Sequence, residues 1–437
     1  MAELGSSAAD RPSAPGRIGG EGAGRVSRFG LLWLFDHPAI GKRILNLGTL
    51  FVAVFLVVVW VGWMLFLAGV FELPEDFVKI DFFSFYSSSA LALKGEAAGA
   101  YDIMRLGAEQ AKLPGDDSGV QPWRNPPVFF FVVLPLGLLP LVAAFALWTA
   151  GTTALLMTAI RRMTPNFGLM LIAFALPATF WNLLVGQTGM LIAGLFAWGM
   201  ILLRDRPLLA GVVLGLLVVK PQFFPLAVVA LLATRNKPAL LGMAGCVGGL
   251  SLLSLGVFGV EAWDGFISLA RISNAETYNG SAPLGKMQSP TALLLLLGVA
   301  PTLTQVLQGM VSLACAGFVF WLWRQDVAFE YKASGLAVAT LLATPYSYHY
   351  DLSLLAPAIV WLVLRFKADG WRRWDAEVLL LAWLSPIAVI FAMITGVSAA
   401  APVILGLCAI IARRVMPVRN RAEVEPERAV ALPEGAA

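Results

Sequence analysis

Between Leu47 and Val70 the chain runs 24 residues without one charged side chain. About 20 apolar residues suffice to cross the hydrocarbon core of a bilayer. Inside that core only helices and closed barrels satisfy every backbone group internally. Barrel strands alternate apolar and polar residues over roughly ten positions, whereas this run is apolar throughout, so it reads as a helix. It is too long for the apolar region of a signal peptide, and no small-residue cleavage site follows it. Similar runs recur along the chain. Of the 437 residues 59% are hydrophobic and 13% charged, against about 25% charged in soluble domains. The expected class is therefore an all-α, polytopic integral membrane protein.

The basic residues give the bundle a direction. They fall in short clusters between apolar runs: Lys42-Arg43, Arg161-Arg162, Arg204 with Arg206, Arg235 with Lys237, Arg324, Arg365 through Arg373, and Arg413-Arg414. By the positive-inside rule these clusters and both termini are cytoplasmic. The opposite side then receives a first loop at 71–125, the turns at Gly186-Gln187 and Lys220-Pro221-Gln222, a second large loop at 259–288, and Pro345 to Asp351. About 12 crossings result. Stretches 126–160 and 289–323 exceed one crossing, and each is expected to hold a half-span or re-entrant piece, broken at Pro135 to Pro140 and at Pro301. The transmembrane domain is placed at 44–414. A disordered tail and entry segment fill 1–43, and a second disordered tail 415–437.

The net charge of +4 comes from these loop clusters and does not indicate nucleic-acid binding. Cys246, Cys315 and Cys408 stand alone in apolar segments and read as small hydrophobes. The Gly211–Gly215 spacing suits either a dimer face or close packing inside the bundle, the second being the commoner use. Gly280 to Lys286 matches the spacing of a phosphate-binding loop, but Met287 stands where a magnesium-holding Ser or Thr belongs and no strand precedes it. His37 and His349 are too far apart to make a zinc motif. No D-x-D pair and no dinucleotide fingerprint is present, so neither a metal nor a nucleotide donor is expected.

What remains are polar residues at the outer edge. The aromatic segment Phe77 to Tyr86 suits a helix in the membrane interface. Asp81 inside it is costly to desolvate, which raises its pKa and suits general-base work; an interfacial Asp facing water is the plain alternative. Lys220 is flanked closely by apolar sequence and Pro221, so it is either functional or a snorkelling helix end. Gln187 would bind substrate or pair between helices. His349 stands among three tyrosines beside Asp351, as a structural or a functional residue. The loop 259–288 and its edge add Arg271, Asn274, Asn279, Lys286, Gln288 and Ser289.

In order and placement these marks resemble the integral-membrane GT-C glycosyltransferases and, more closely, glycosyltransferase family 87, which includes polyprenyl-phosphate-mannose-dependent mannosyltransferases. The resemblance runs over roughly 45–412. It is carried by Asp81-Phe-Phe-Ser-Phe-Tyr86, Gly95 to Tyr101-Asp102, Asn125-Pro-Pro, Leu134 to Pro140, Leu147-Trp148, Gly186-Gln187, Lys220-Pro221-Gln222, Gln288-Ser289 and Pro345 to His349. Where family members often have a second aromatic and an Ala-Gly pair after the early Asp, this chain has Tyr86-Ser-Ser-Ser-Ala90.

The resemblance implies a GT-C-type bundle that inverts configuration while moving a sugar from a polyprenyl-phosphate donor to a lipid or glycan acceptor hydroxyl, outside the cytoplasm and without a cofactor. Asp81 would be the general base. Lys220, His349, Arg271 and Lys286 would meet the donor phosphate. Gln187, Gln222, Gln288, Tyr86 and Tyr348 would contact sugar or acceptor. The membrane lipids would let the donor enter sideways. A transporter or flippase is the competing reading, but transporters place ionisable groups near the midplane, and here they lie at one edge.

Overall fold

The computed structural model describes residues 38–70, 80–114 and 119–416, with side chains from Thr49 onward. Of the expected tails, residues 1–37 (with His37) and 417–437 lie outside these residues, as does the lead-in Phe77 to Lys79, whereas Pro38 to Arg43 and Val415 are helical. Every regular element described is helical, and the one β-bridge pairs Met287 with Tyr348.

Besides the four-residue helix Phe130–Val133, the α-helices are α1 (Pro38–Leu67), α2 (Phe82–Leu93), α3 (Ile103–Gln110), α4 (Leu141–Met163), α5 (Phe167–Phe174), α6 (Pro177–Val185), α7 (Gly189–Leu202), α8 (Pro207–Gly215), α9 (Pro225–Ala233), α10 (Lys237–Tyr278), α11 (Pro290–Leu296), α12 (Pro301–Arg324), α13 (Phe329–Ala343), α14 (Leu355–Asp369), α15 (Asp375–Leu384), α16 (Ala388–Thr395) and α17 (Ala400–Val415). Among the described residues five helical segments are long and apolar enough to cross a bilayer: Thr49–Leu67, α4, α10, α12 and Asp375–Thr395. The pair α5 and α6, bent by 54°, makes a sixth if taken as one span. Their surfaces fit lipid rather than water: Phe51, Leu252, Leu313 and Ile394 are each more than 70% exposed.

Proline and glycine divide the long apolar stretches. In 126–160 a short apolar segment, Pro127–Leu138, precedes α4, with the break at Leu139-Pro140. In 289–323 the seven-residue α11 ends before Gly298, and Pro301 opens α12. In α10 the ladder is interrupted at Gly259, whose φ of 81° and ψ of 167° are non-helical. The chain from Val260 to Tyr278, expected as part of an outer loop, is therefore helical, and 279–289, with the 3-10 turn Leu284–Lys286, connects it to α11. Gly211 of α8 lies against the Ala239 carbonyl of α10, where an added Cβ would stand 1.9 Å from that oxygen. The glycine spacing of α8 thus serves packing inside the bundle.

Helix α2 packs largely against protein: Phe82, Phe83, Ser84, Phe85, Ser87, Ser88, Ser89 and Leu91 are all buried. The Phe85 ring lies edge-on to Trp123, Phe129 and Trp148, and Ser89 Oγ donates to the Leu134 carbonyl while accepting from Gly137 N. Exposure remains along Tyr86, Ala90, Ala92 and Leu93.

Connectivity separates the two ends of the bundle. α7 leaves the Gln187 turn and ends before Arg204 and Arg206. α8, with its 3-10 extension Leu216–Val219, returns to Lys220. α9 leaves Gln222 and ends before Arg235. α13, following Arg324, returns to Pro345, and α14 leaves Asp351 and ends among Arg365, Lys367 and Asp369. At that basic end Asp375, fully buried, accepts from Arg413 Nη2 at 2.7 Å and pairs with Arg414, tying α15 to α17. The polar exceptions gather at the other end.

Candidate active site

Asp81 precedes α2, and its position relative to the bundle is set by one turn. Gly186 closes α6 with a left-handed φ of 69°. It lies so near α2 that an added Cβ would stand 2.6 Å from Phe82 Cβ. Its carbonyl accepts from Trp148 Nε1 at 2.7 Å, which pins the turn to α4. A residue with a side chain would be strained by both the dihedral and the contact. The turn delivers Gln187 to Asp81: Gln187 Nε2 donates to Asp81 Oδ2 at 2.8 Å. The amide is oriented by Thr188 N, which donates to Gln187 Oε1 at 3.2 Å.

Asp81 stays partly accessible while protein packs closely around it. Burial pushes its carboxyl above the ordinary carboxylate range. The Gln187 hydrogen bond and the charges of Lys286, Lys220 and Arg124 pull it part of the way back. A half-accessible carboxylate with raised proton affinity and one oxygen held in place is suited to accept a proton from a hydroxyl.

Lys220 is committed further than its sequence context suggested. Its Nζ donates to Asp351 Oδ1 at 2.5 Å and to Thr188 Oγ1 at 3.3 Å. It also stands over the rings of Tyr350 and Phe223, at 4.8 and 5.4 Å. Asp351 is fully buried, and its Oδ2 accepts from Tyr348 N at 3.0 Å. Lys220 thus clamps the 344–351 loop to the Gln187 turn. Asn182 reinforces the clamp by donating to the Tyr350 carbonyl at 3.0 Å and to Ser353 Oγ at 2.9 Å.

His349 is expected to carry charge to a phosphate, and its surroundings oppose that. It is buried, edge-on to Trp181, with Nδ1 3.1 Å from the Lys286 carbonyl. Burial pushes its pKa down to about 4, so the ring is neutral near pH 7. A carbonyl opposite Nδ1 places the single proton there, leaving Nε2 as an acceptor. The ring therefore braces the 284–287 turn, helped by His349 N donating to the same Lys286 carbonyl at 3.3 Å.

The amides and phenols divide similarly. Gln288 is buried, donating to the Gly285 carbonyl at 3.4 Å and accepting from Ser398 Oγ at 3.0 Å, so its side chain is already engaged within the protein. Tyr86 OH donates to the Leu139 carbonyl at 2.9 Å, which turns it toward α4. Gln222 is half-buried; its carbonyl accepts from Thr344 Oγ1 at 3.2 Å, and its side-chain amide makes no hydrogen bond among the described residues. Tyr348 is half-buried and stacked on Tyr350 at 5.4 Å. Lys286 is exposed at the rim, near enough to Asp81 for its charge to be felt there. Arg271 stands exposed on α10 without a hydrogen bond or ion pair among the described residues.

Two participants escape a reading of the sequence. Asp351, partner of Lys220, lies 131 positions away in the chain. Arg124, beside Trp123 in the segment before Pro126, bears electrostatically on both Asp81 and Tyr348. Its only visible signal is position, just before the helix-opening prolines Pro126 and Pro127. Among the described residues no three His, Cys, Asp or Glu side chains come together as metal ligands would.

Asp81, half-buried and within electrostatic reach of Arg124, Lys220 and Lys286, lies at one end of an apolar helical bundle whose longer helices are long enough to cross a membrane. The chain matches glycosyltransferase family 87 over residues 123–345, just over half its length, and it belongs to that family. Comparison with curated proteins and with solved structures found no match. The matched region contains Arg124, Gln187, Lys220, Gln222, Arg271, Glu276, Lys286 and Gln288, while Asp81 lies before it and Tyr348, His349 and Asp351 after it.

Proposed function

We propose that the protein is an inverting glycosyltransferase that moves a sugar, mannose or another hexose or pentose, from a polyprenyl-phosphate donor to a hydroxyl of a lipid or glycan acceptor. Family membership supports the transferase class. The observation that carries the mechanism is the Asp81–Gln187 hydrogen bond, at a partly accessible carboxylate bordered by Lys286, Lys220 and Arg124.

The acceptor hydroxyl approaches Asp81, which takes its proton as the acceptor oxygen forms a bond to the anomeric carbon. The bond from that carbon to the phosphate oxygen breaks on the opposite face, and its electron pair stays with polyprenyl phosphate. Attack from one face and departure from the other invert the configuration. Negative charge grows on the phosphate as the bond breaks, and cations aimed at it lower the barrier. Lys286 and Arg124, both exposed, are placed to meet it, with Arg271 further along the rim. Lys220 acts at longer range and holds the loop that carries Tyr348. Gln187 orients the base, while Gln222 and Tyr348 line the approach of sugar or acceptor.

The basic clusters at the far end support a topology with both termini cytoplasmic and the site on the extracytoplasmic face of the plasma (inner) membrane. About 12 crossings are proposed, with the shorter helices α7, α8, α9, α13, α14 and α17 supplementing the longer spans and the bent pair α5–α6. The apolar flanks let a lipid-borne donor reach the edge from within the bilayer. A membrane assay with labelled polyprenyl-phosphate sugars tests the reading: transfer that depends on Asp81 supports it, and solute uptake without transfer overturns it.

A further inference from the structure

Arg124 is built into an anchored segment with a free head. Trp123 before it is fully buried, stacked on Phe129 at 5.4 Å and Phe130 at 5.0 Å. Asn125 after it accepts on its carbonyl from Tyr101 OH at 2.8 Å. The backbone is thus fixed on both sides, while the Arg124 side chain is 39% exposed. Its Nη2 donates at 2.9 Å to Oε2 of Glu276, which is 36% exposed on the last turns of α10. Two residues earlier on that helix Asn274 accepts from Tyr346 OH, so the same end of α10 meets the 344–351 loop. The guanidinium therefore sits where the segment before Pro126, α10 and the Tyr348 loop converge, and its charge reaches Asp81 and Tyr348.

We infer that Arg124 is a donor-phosphate ligand held in reserve by Glu276: the free protein closes the Arg124–Glu276 ion pair, and the phosphate of the incoming donor takes the place of the Glu276 carboxylate. The inference rests on the proposed use of a polyprenyl-phosphate donor. Exposed ion pairs are weak, so the pair is easily exchanged. A guanidinium presents its N–H groups as a planar fork that matches phosphate oxygens as well as a carboxylate. The exchange also favours reaction. A phosphodiester and a carboxylate each carry one negative charge, but the phosphate gains charge as the glycosidic bond breaks, so Arg124 grips it more strongly than it gripped Glu276. Glu276 would at the same time keep adventitious anions off the empty site.

The test measures binding of farnesyl phosphate, a detergent-soluble isoprenyl phosphate, to purified protein by calorimetry, alongside donor KM in the transfer assay. Arg124→Gln should weaken binding and raise donor KM about tenfold, as expected for loss of a charge-assisted hydrogen bond, and Arg124→Lys should recover part of the loss. Glu276→Gln should tighten binding about twofold to fivefold, the range of an exposed ion pair, and in the Arg124→Gln background it should add nothing. Additive effects in the double variant, weaker binding in Glu276→Gln, or unchanged binding in Arg124→Gln would overturn the inference. Wild-type protein that binds farnesyl phosphate in this Arg124-dependent manner yet transfers no sugar would uphold the exchange and remove the transferase reading. Transfer by Arg124→Gln with an unchanged donor KM would do the reverse.

Discussion

Gln187 Nε2 donates to Asp81 Oδ2 at 2.8 Å across 106 positions of sequence, and Thr188 N holds the other end of the same amide. The bond favours the ionised carboxylate and so pulls its pKa down against burial. Gln187→Ala should lower kcat by about tenfold to a hundredfold, since a misoriented base loses near-attack geometry. It should also move the acidic limb of the pH–rate profile to higher pH. A profile that keeps its shape while the rate falls would show that Gln187 does not touch the titrating group.

In the wild type, transfer needs Asp81 without its proton. Burial raises the pKa of that group, so the rate should fall as pH drops through a value above the ordinary carboxylate range, and should level off above it. Initial rates across the acid range at saturating donor report the limb directly.

The Lys220–Asp351 pair predicts a stability effect separate from chemistry. Removing one partner leaves a buried charge alone, at a cost of about 3–5 kcal/mol. Lys220→Ala should therefore lower the thermal midpoint in detergent sharply. Lys220→Met combined with Asp351→Leu should recover most of that loss, because an apolar pair of similar volume replaces the ions. Failure of the double variant to recover would mean that the cation–π contacts to Tyr350 and Phe223 carry the stability instead.

His349 gives a pH signature of its own. Its folded pKa of about 4 lies below the ordinary value of 6.5. Between those values the unfolded chain binds the proton and the folded chain does not, so protons favour unfolding and stability rises with pH across the window. The contribution is on the order of 3 kcal/mol from pH 4 to pH 6.5. Thermal midpoints of wild type and His349→Gln should diverge across that interval and run parallel above it.

The helical class and the separation of a polar end from a basic end were legible in the sequence, because uncharged runs and clustered Arg and Lys residues are local signals. Asp81 and Gln187 were legible as exceptions to an apolar background. Their hydrogen bond was not, since it depends on Gly186 seating its turn against Phe82. The neutrality of His349 and the inward turn of Tyr86 were equally out of reach: the first follows from burial beside Trp181, the second from the Leu139 carbonyl, and both are supplied by distant segments. Asp351 looked like one more polar residue beside a histidine until folding placed Lys220 next to it. Helix α10 hid its second half because Val260 to Tyr278 is polar enough to read as loop, whereas in the fold Gly265 and Phe266 pack on Tyr101.

The most direct measurement is sugar transfer from a labelled polyprenyl-phosphate donor by purified Asp81→Asn protein, with correct folding confirmed by its thermal midpoint. Asparagine keeps the shape of the side chain and removes its basicity. Transfer should fall by about a hundredfold to ten-thousandfold, the usual worth of a general base, while farnesyl phosphate binding stays within a fewfold of wild type. Transfer at the wild-type rate by a folded Asp81→Asn protein would contradict the account.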